Sequence, residues 1–167
     1  MFSGCEKQLE IPVNFDYTGA KAYFTIPASD QLTYQDMKTV YFNADSLSKA
    51  NKFDLNLVKS ITIKRITFTL KDTSQSAPYS FNIIKDYEGF IGVPAMGRTL
   101  IEKADLQQNS PNEIEIKHRQ EDIKDLVLNS KGYEMSIRGA LTDTLKHPIR
   151  IEANITYQIK AAYLGKK

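Results

Sequence analysis

The sequence predicts an all-β fold, an antiparallel two-sheet β-sandwich of immunoglobulin-like or jelly-roll type with one or two short helical crossings. Three observations carry this. Apolar side chains recur at every second position over much of the 167 residues, the period of strands with one face in a core and one in water. Glycine, proline, asparagine and aspartate cluster between these runs, as turns require. No strand–helix–strand rhythm and no internal repeat is present, which argues against parallel α/β and solenoid architectures.

Leu9, Ile11, Val13, Phe15 and Tyr17 alternate with polar residues and predict a first strand. Pro12 has no amide hydrogen to give to a ladder, so this strand belongs at a sheet edge. Gly19 ends it in this reading, and Ala22, Phe24 and Ile26 form a short second strand. Tyr34–Phe42 is a third, and the polar stretch 44–56 has room for one helical turn around Leu47 and Ala50. Ile61 and Ile63 then share one parity, while Ile66, Phe68 and Leu70 share the other. A regular strand cannot turn both sets inward, so a β-bulge is expected at Lys64-Arg65.

Asp72–Pro78 reads as a turn-rich loop, and Tyr79–Ile84 resumes strand character. Tyr87–Leu100 is apolar but interrupted by Gly89, Gly92, Pro94 and Gly97, which suits a bent strand or an apolar loop tip. Ile114 and Ile116 mark another strand. Ile123, Leu126 and Val127 stand at i, i+3 and i+4, with acids ahead and Gly132 behind. That predicts a helix over 121–129, too short to persist unless pinned to a sheet. Tyr133, Met135, Ile137, Gly139 and Leu141 alternate, and Ile149 to Tyr163 places apolar residues at every odd position. At about 3.3 Å per residue the last strand spans roughly 50 Å, so it is expected to bend or to serve both halves of a curved sheet. Its parity makes Ile155→Asp disruptive and Asn154→Asp nearly neutral, within about 0.5 kcal/mol.

Composition narrows the function. A chain that is 41% hydrophobic and 25% charged can bury a core and is no disordered tail. Its longest apolar stretch, Phe90–Met96, is too short to span a bilayer as a helix. A net charge of +2 leaves no electrostatic footprint for nucleic acid, which is not expected as a partner.

The single cysteine, Cys5, excludes an internal disulfide and any site of paired thiolates. It closes the run Phe2-Ser3-Gly4-Cys5, which resembles the end of a bacterial lipoprotein signal peptide, the lipobox, where the cysteine thiol carries the lipid. Residues 1–8 then read as a leader and lipid tether, and 9–167 as a single β-sandwich domain. Leader and strand pattern together resemble small cell-envelope lipoproteins of Bacteroidota, in which a lipobox precedes an immunoglobulin-like or jelly-roll sandwich. The resemblance implies lipidation at Cys5, a membrane held through that anchor, and a place in the bacterial cell envelope. It brings no catalytic residues.

The search for chemistry finds little. No Gly-x-Ser-x-Gly elbow occurs, and His118 and His147 share no metal-ligand spacing. No calcium loop is present, although Asp72, Asp86 and Asp143 lie in separate loops that a sandwich can bring together. Glu113 and Glu115 alternate on one exposed strand face, which suits solubility better than paired-carboxylate hydrolysis. Tyr23, Tyr41, Tyr79, Tyr87 and Phe90 fall off the inward parity and, with Ile91, are the expected contacts for a ligand or partner. The expected function is a non-enzymatic, lipid-anchored envelope module that binds, scaffolds or adheres, needs no cofactor or metal, and meets another envelope protein or a glycan. The alternative is a carbohydrate-binding module or small glycan-handling enzyme.

Overall fold

The computed structural model describes residues 9–71, 79–93, 97–105, 112–117, 122–129 and 132–165. They form strands β1 (Leu9–Ile26), β2 (Thr33–Tyr41), β3 (Ser60–Lys71), β4 (Asp86–Val93), β5 (Gly97–Asp105), β6 (Glu113–Lys117), β7 (Gly132–Ala140) and β8 (Ile149–Gly165). Two short helices, α1 (Ala44–Asn51) and α2 (Lys124–Asn129), lie on the β2–β3 and β6–β7 connections. One sheet runs β1-β8-β3-β6 and the other β2-β7-β4-β5, and every pairing is antiparallel. β1 pairs with β8, β2 with β7, β3 with β6 and β4 with β5, so the chain is a long double hairpin wound over on itself. That order is the jelly roll, and it decides between the two sandwich types the sequence allows.

Several expected elements change character. Gly19 does not end a strand. β1 continues through it to Ile26, with a register shift between Thr18 and Ala20. Tyr79–Ile84 is not a strand but carries a 3₁₀ turn over Phe81–Ile83, whose Ser80 hydroxyl accepts from Asn82 N–H. The 3₁₀ bend lets Phe81 and Ile84 both enter the core, a pattern that imitates alternation in sequence. The loop 72–78 lies outside the described residues.

The expected bulge in β3 is present, between Ile63 and Arg65. Its counterpart in β1 gives it meaning. Inward parity switches in β1 from Val13, Phe15 and Tyr17 to Ala20, Ala22, Phe24 and Ile26. It switches in β3 from Ile61 and Ile63 to Ile66, Phe68 and Leu70. β8, between them, keeps its odd positions inward without interruption from Ile149 to Ala161. Both extra residues, Gly19 and Lys64, fall beside Thr156 of β8, which pairs with Thr18 on one side and Arg65 on the other. The two bulges therefore form one crease across three strands, which bends the sheet around the core. Thr156 is buried there, its hydroxyl 2.9 Å from that of Thr18 and 3.4 Å from Arg65 Nε.

Aromatic rings fill the end of the sandwich that carries the helices. Phe42 meets Tyr17 and Tyr157 edge-on at 5.7 and 5.1 Å, and Phe15 packs on Phe53 at 5.5 Å. The buried hydroxyls of Tyr133 and Tyr157 bond to each other. Burial pushes both phenols up, so neither ionises in the folded protein at neutral pH. α1 is capped by Asn43, whose side chain accepts from Ser46 N–H. α2 is held as expected, by Ile123 and Val127 in the core and by the Asp122 carboxylate, which accepts from Ile61 N–H at 3.0 Å.

The outer face of β8 carries an acid that sequence parity leaves in water. Glu152 is largely covered, taking Asn154 Nδ2 at 3.0 Å and the ammonium groups of Lys21 and Lys71 at 3.3 Å each. The hydrogen bond from Asn154, followed by the lysines, holds its carboxyl down to about 2. A depressed acid stabilises the fold above its unfolded pKa and loses that contribution as it protonates. The two lysines are 49% and 45% exposed, so water screens their share. Glu152→Gln is expected to cost about 1–2 kcal/mol at pH 7, with the gap to wild type closing as pH falls from about 4.5 to about 2. Parallel urea melts across that range measure it, and a gap that persists unchanged at the acid end would place its origin elsewhere.

Candidate functional site

The outer face of β2-β7-β4 carries a cleft that brings polar, charged and apolar side chains together. β7 is the middle strand, and its outward positions are Glu134, Ser136 and Arg138. Register places Met37 of β2 and Phe90 of β4 on either side of Ser136. Gln35 and Glu88 flank Arg138 in the same way, and Thr39 and Gly92 flank Glu134. Ser136 is small and buried while its two neighbours are large, so the row Met37–Ser136–Phe90 dips in the middle. The result is a cleft of about 480 Å³ lined also by Gln35, Asp36 and Arg138.

The charges of this cleft are engaged within the chain. Arg138 donates through Nε to Glu88 at 2.7 Å, places Nη2 2.7 Å from the same carboxylate, and lays its guanidinium 4.6 Å above the Phe90 ring. This salt bridge and cation–π contact hold the side chain across the sheet. The Asp36 carboxylate accepts from Thr25 N–H of β1 at 2.7 Å and pairs with Lys38 at 2.9 Å, tying β2 to the edge of the other sheet. Met37 remains 42% exposed at the rim. Gln35 and Arg138 also line a second hollow that runs on past Thr33 to Asp86. There Tyr34 donates its hydroxyl to the Asp86 carbonyl at 3.0 Å, directly over Gly139, where any Cβ would overlap that carbonyl. A third hollow, of about 810 Å³, opens at the helical end between Tyr17, Tyr41, Asn43, Asn56 and Asn129.

The six expected contact residues are not gathered in one place. Phe90 stands in the cleft, on the outer face of β4. Tyr41 lies at the far end of β2, 75% exposed and beside the third hollow. Tyr23 is exposed on β1, opposite Glu152 on the other sheet's outer face. Tyr79 is half-buried, and its hydroxyl accepts the backbone N–H groups of Lys146 and His147, so it staples the β7–β8 turn. Tyr87 and Ile91 need correction: both are buried, because β4 pairs with β5 and β7 and turns its odd positions into the core. The stretch around them is an inner strand, where the sequence also allowed a loop tip. Cys5, His118 and Asp72 lie outside the described residues. Asp86 and Asp143 are engaged with backbone N–H groups of Ala140 and Thr144. Among the described residues no three His, Cys, Asp or Glu side chains converge on a metal position.

Met37, Ser136, Glu88 and Arg138 were not singled out from the sequence. The alternation of β7 turns Ser136 and Arg138 outward, but only strand register brings Met37 and Phe90 beside them.

No protein-family model matches the chain, and no curated protein matches it. Among solved structures it is similar to the BFDV capsid protein in its decameric form, at 10% identity over 90% of this chain and 99% of that one, TM-score 0.45. The 60-mer form of the same capsid protein matches at 8% identity over 97% and 98%, TM-score 0.40. Desmodium yellow mottle tymovirus matches at 12% identity over 94% and 92%, TM-score 0.30. These likenesses bear on the fold alone. These three chains are viral, two of them titled capsid proteins, and none is titled an envelope lipoprotein. The expectation of a lipid-anchored envelope module, with its glycan-handling alternative, is withdrawn on that finding.

Proposed function

We propose that this chain is a structural subunit that packs against another copy of itself through the outer face of β2-β7-β4 and turns over no substrate. One observation carries the reading. Along β7 an acid and a base, Glu134 and Arg138, stand two residues to either side of Ser136, with exposed Met37 and half-buried Phe90 flanking it. A face of that kind offers apolar contact at its centre within a polar rim. The commitment of Arg138 to Glu88 and of Asp36 to Lys38 supports packing over proton transfer, since both charges are held by neighbours in the same chain.

Sedimentation equilibrium over a concentration series tests this. Reversible monomer–dimer behaviour is expected, and Met37→Glu is expected to weaken the dimer at least about tenfold with an unchanged melting temperature. A wild-type protein still monomeric at about 1 mM, equivalent to less than about 4 kcal/mol of association, would overturn the proposal.

A further inference from the structure

We infer that the Asp36 carboxylate is a clasp on the open seam of the sandwich, and that it denies the edges of β1 and β2 to a strand from a second copy. The inference goes beyond the packing of faces proposed above and does not depend on it.

A sandwich that does not close into a barrel leaves edge strands on both sheets. Each edge offers backbone N–H and C=O groups to any extended segment that comes by. β1 is outermost in one sheet and β2 in the other, and the two follow one another in the chain. On its inner side β2 presents Tyr34, Asp36, Lys38 and Val40 in alternation. Tyr34 and Val40 are buried, while Asp36 and Lys38 fill the two positions between them and are half-buried. Their side chains keep 16% and 39% of their exposure. Charged residues at core-facing positions are costly within a sheet and are tolerated on an edge, where water still reaches them.

Asp36 uses its position to satisfy the seam. Its Oδ2 accepts from Thr25 N–H at 2.7 Å. Its Oδ1 accepts from Met37 N–H at 2.7 Å and from Lys38 Nζ at 2.9 Å. One carboxylate therefore takes a backbone donor from the edge strand of each sheet. Thr25 lies opposite Arg150 of β8, the only strand beside β1, and its amide is given across the seam to β2.

A strand added to either edge would need those donors. To reach them it must displace the carboxylate, which accepts hydrogen bonds and gives none. The displaced charge and the Lys38 ammonium would then be covered by the incoming strand, and desolvating them opposes the addition. Strand addition is open-ended, because each new copy brings a new edge, whereas packing of one face on another closes after two copies. The clasp thus leaves faces as the route by which copies can meet.

Asp36→Ala and Asp36→Asn test this by two readouts, amide hydrogen exchange at Thr25 and Met37 and sedimentation velocity over a concentration series. In Asp36→Ala both amides are expected to exchange at least about tenfold faster than in wild type. The same variant is expected to form species larger than any wild type forms at the same concentration. Asp36→Asn keeps one acceptor oxygen and is expected to fall between the two in both readouts. Should Asp36→Ala fail to fold, Asp36→Asn carries the comparison. Glu152→Gln, which weakens the fold on the outer face of the other sheet, controls for lost stability and is expected to keep the wild-type sizes. Wild-type sizes in Asp36→Ala would overturn the inference even with exposed amides, since the carboxylate would then only join the sheets. Equally large species in Glu152→Gln would overturn it too. A monomeric wild type would remove the packing of faces and leave the clasp standing.

Discussion

A chain lacking Thr67 is expected not to fold, while a chain lacking Lys64, three residues earlier in the same strand, is expected to fold. The difference lies in which residue is extra. Ile63 pairs with Tyr157 and Arg65 with Thr156, adjacent residues of β8, so Lys64 has no counterpart. Without it, Ile63, Arg65 and Ile66 run inward, outward, inward against an unbroken ladder. The loss is the crease and the ion pair of Lys64 with Asp16, whose partners are both about half-exposed, so the cost is about 1–2 kcal/mol. Thr67 is an ordinary rung opposite Asn154. If Phe68 and Leu70 stay against Ala153 and Ile151, its removal moves Arg65 into the slot opposite Ile155 and turns Ile66 out. That buries a guanidinium in an apolar layer and exposes a fully buried isoleucine, several kcal/mol against a total stability of about 5–15 kcal/mol. Circular dichroism melts of the two deletions decide it; equal stability of the pair would mean that the bulge does not set the register.

Ile155→Asp is expected to unfold the domain outright. Ile155 is 0% exposed, lies between Ala20 and Ile66 on the neighbouring strands, and belongs to the row beside the crease. A carboxylate there meets no donor, and the cost of about 4–5 kcal/mol or more places it among the most damaging single substitutions. The neighbouring Asn154→Asp, nearly neutral on parity alone, is expected to cost about 1–2 kcal/mol. Asn154 donates to Glu152, and an aspartate would set a second carboxylate against the first. The N154D deficit should shrink in acid as one carboxyl takes a proton, which a urea melt near pH 4 would detect. An unfolded N154D, or a well-folded I155D, would reverse the assigned faces of β8.

Much of this architecture is local in origin and therefore legible in the chain. Alternation depends only on neighbours two residues apart, so it identifies β2, β3, β6, β7 and β8. The break in parity between Ile63 and Ile66 announces the bulge before any partner strand is known. Pro12 marks β1 as an edge, and β1 is the outermost strand of its sheet. The spacing of Ile123, Leu126 and Val127 announces α2. The corresponding slip in β1 was hidden because Gly19 offers two readings, a stop or a bulge, and only pairing with a continuous β8 selects the second.

What depends on distant residues was not legible. The choice of jelly roll is a statement about which strands pair, and the alternation within a strand is the same in either sandwich. The burial of Tyr87 and Ile91 follows from strands on both sides of β4, which no local pattern reports. Glu152 is covered because Lys21 and Lys71, from strands on either side, reach over it. The cleft is assembled from three strands whose residues are separated by about fifty to a hundred positions in the chain. Parity alone turns Ser136 and Arg138 to the surface, but register sets Met37 and Phe90 beside them and Glu88 against the guanidinium. Periodicity determines which face of a strand meets water, whereas hydrogen-bonded register determines what that face becomes.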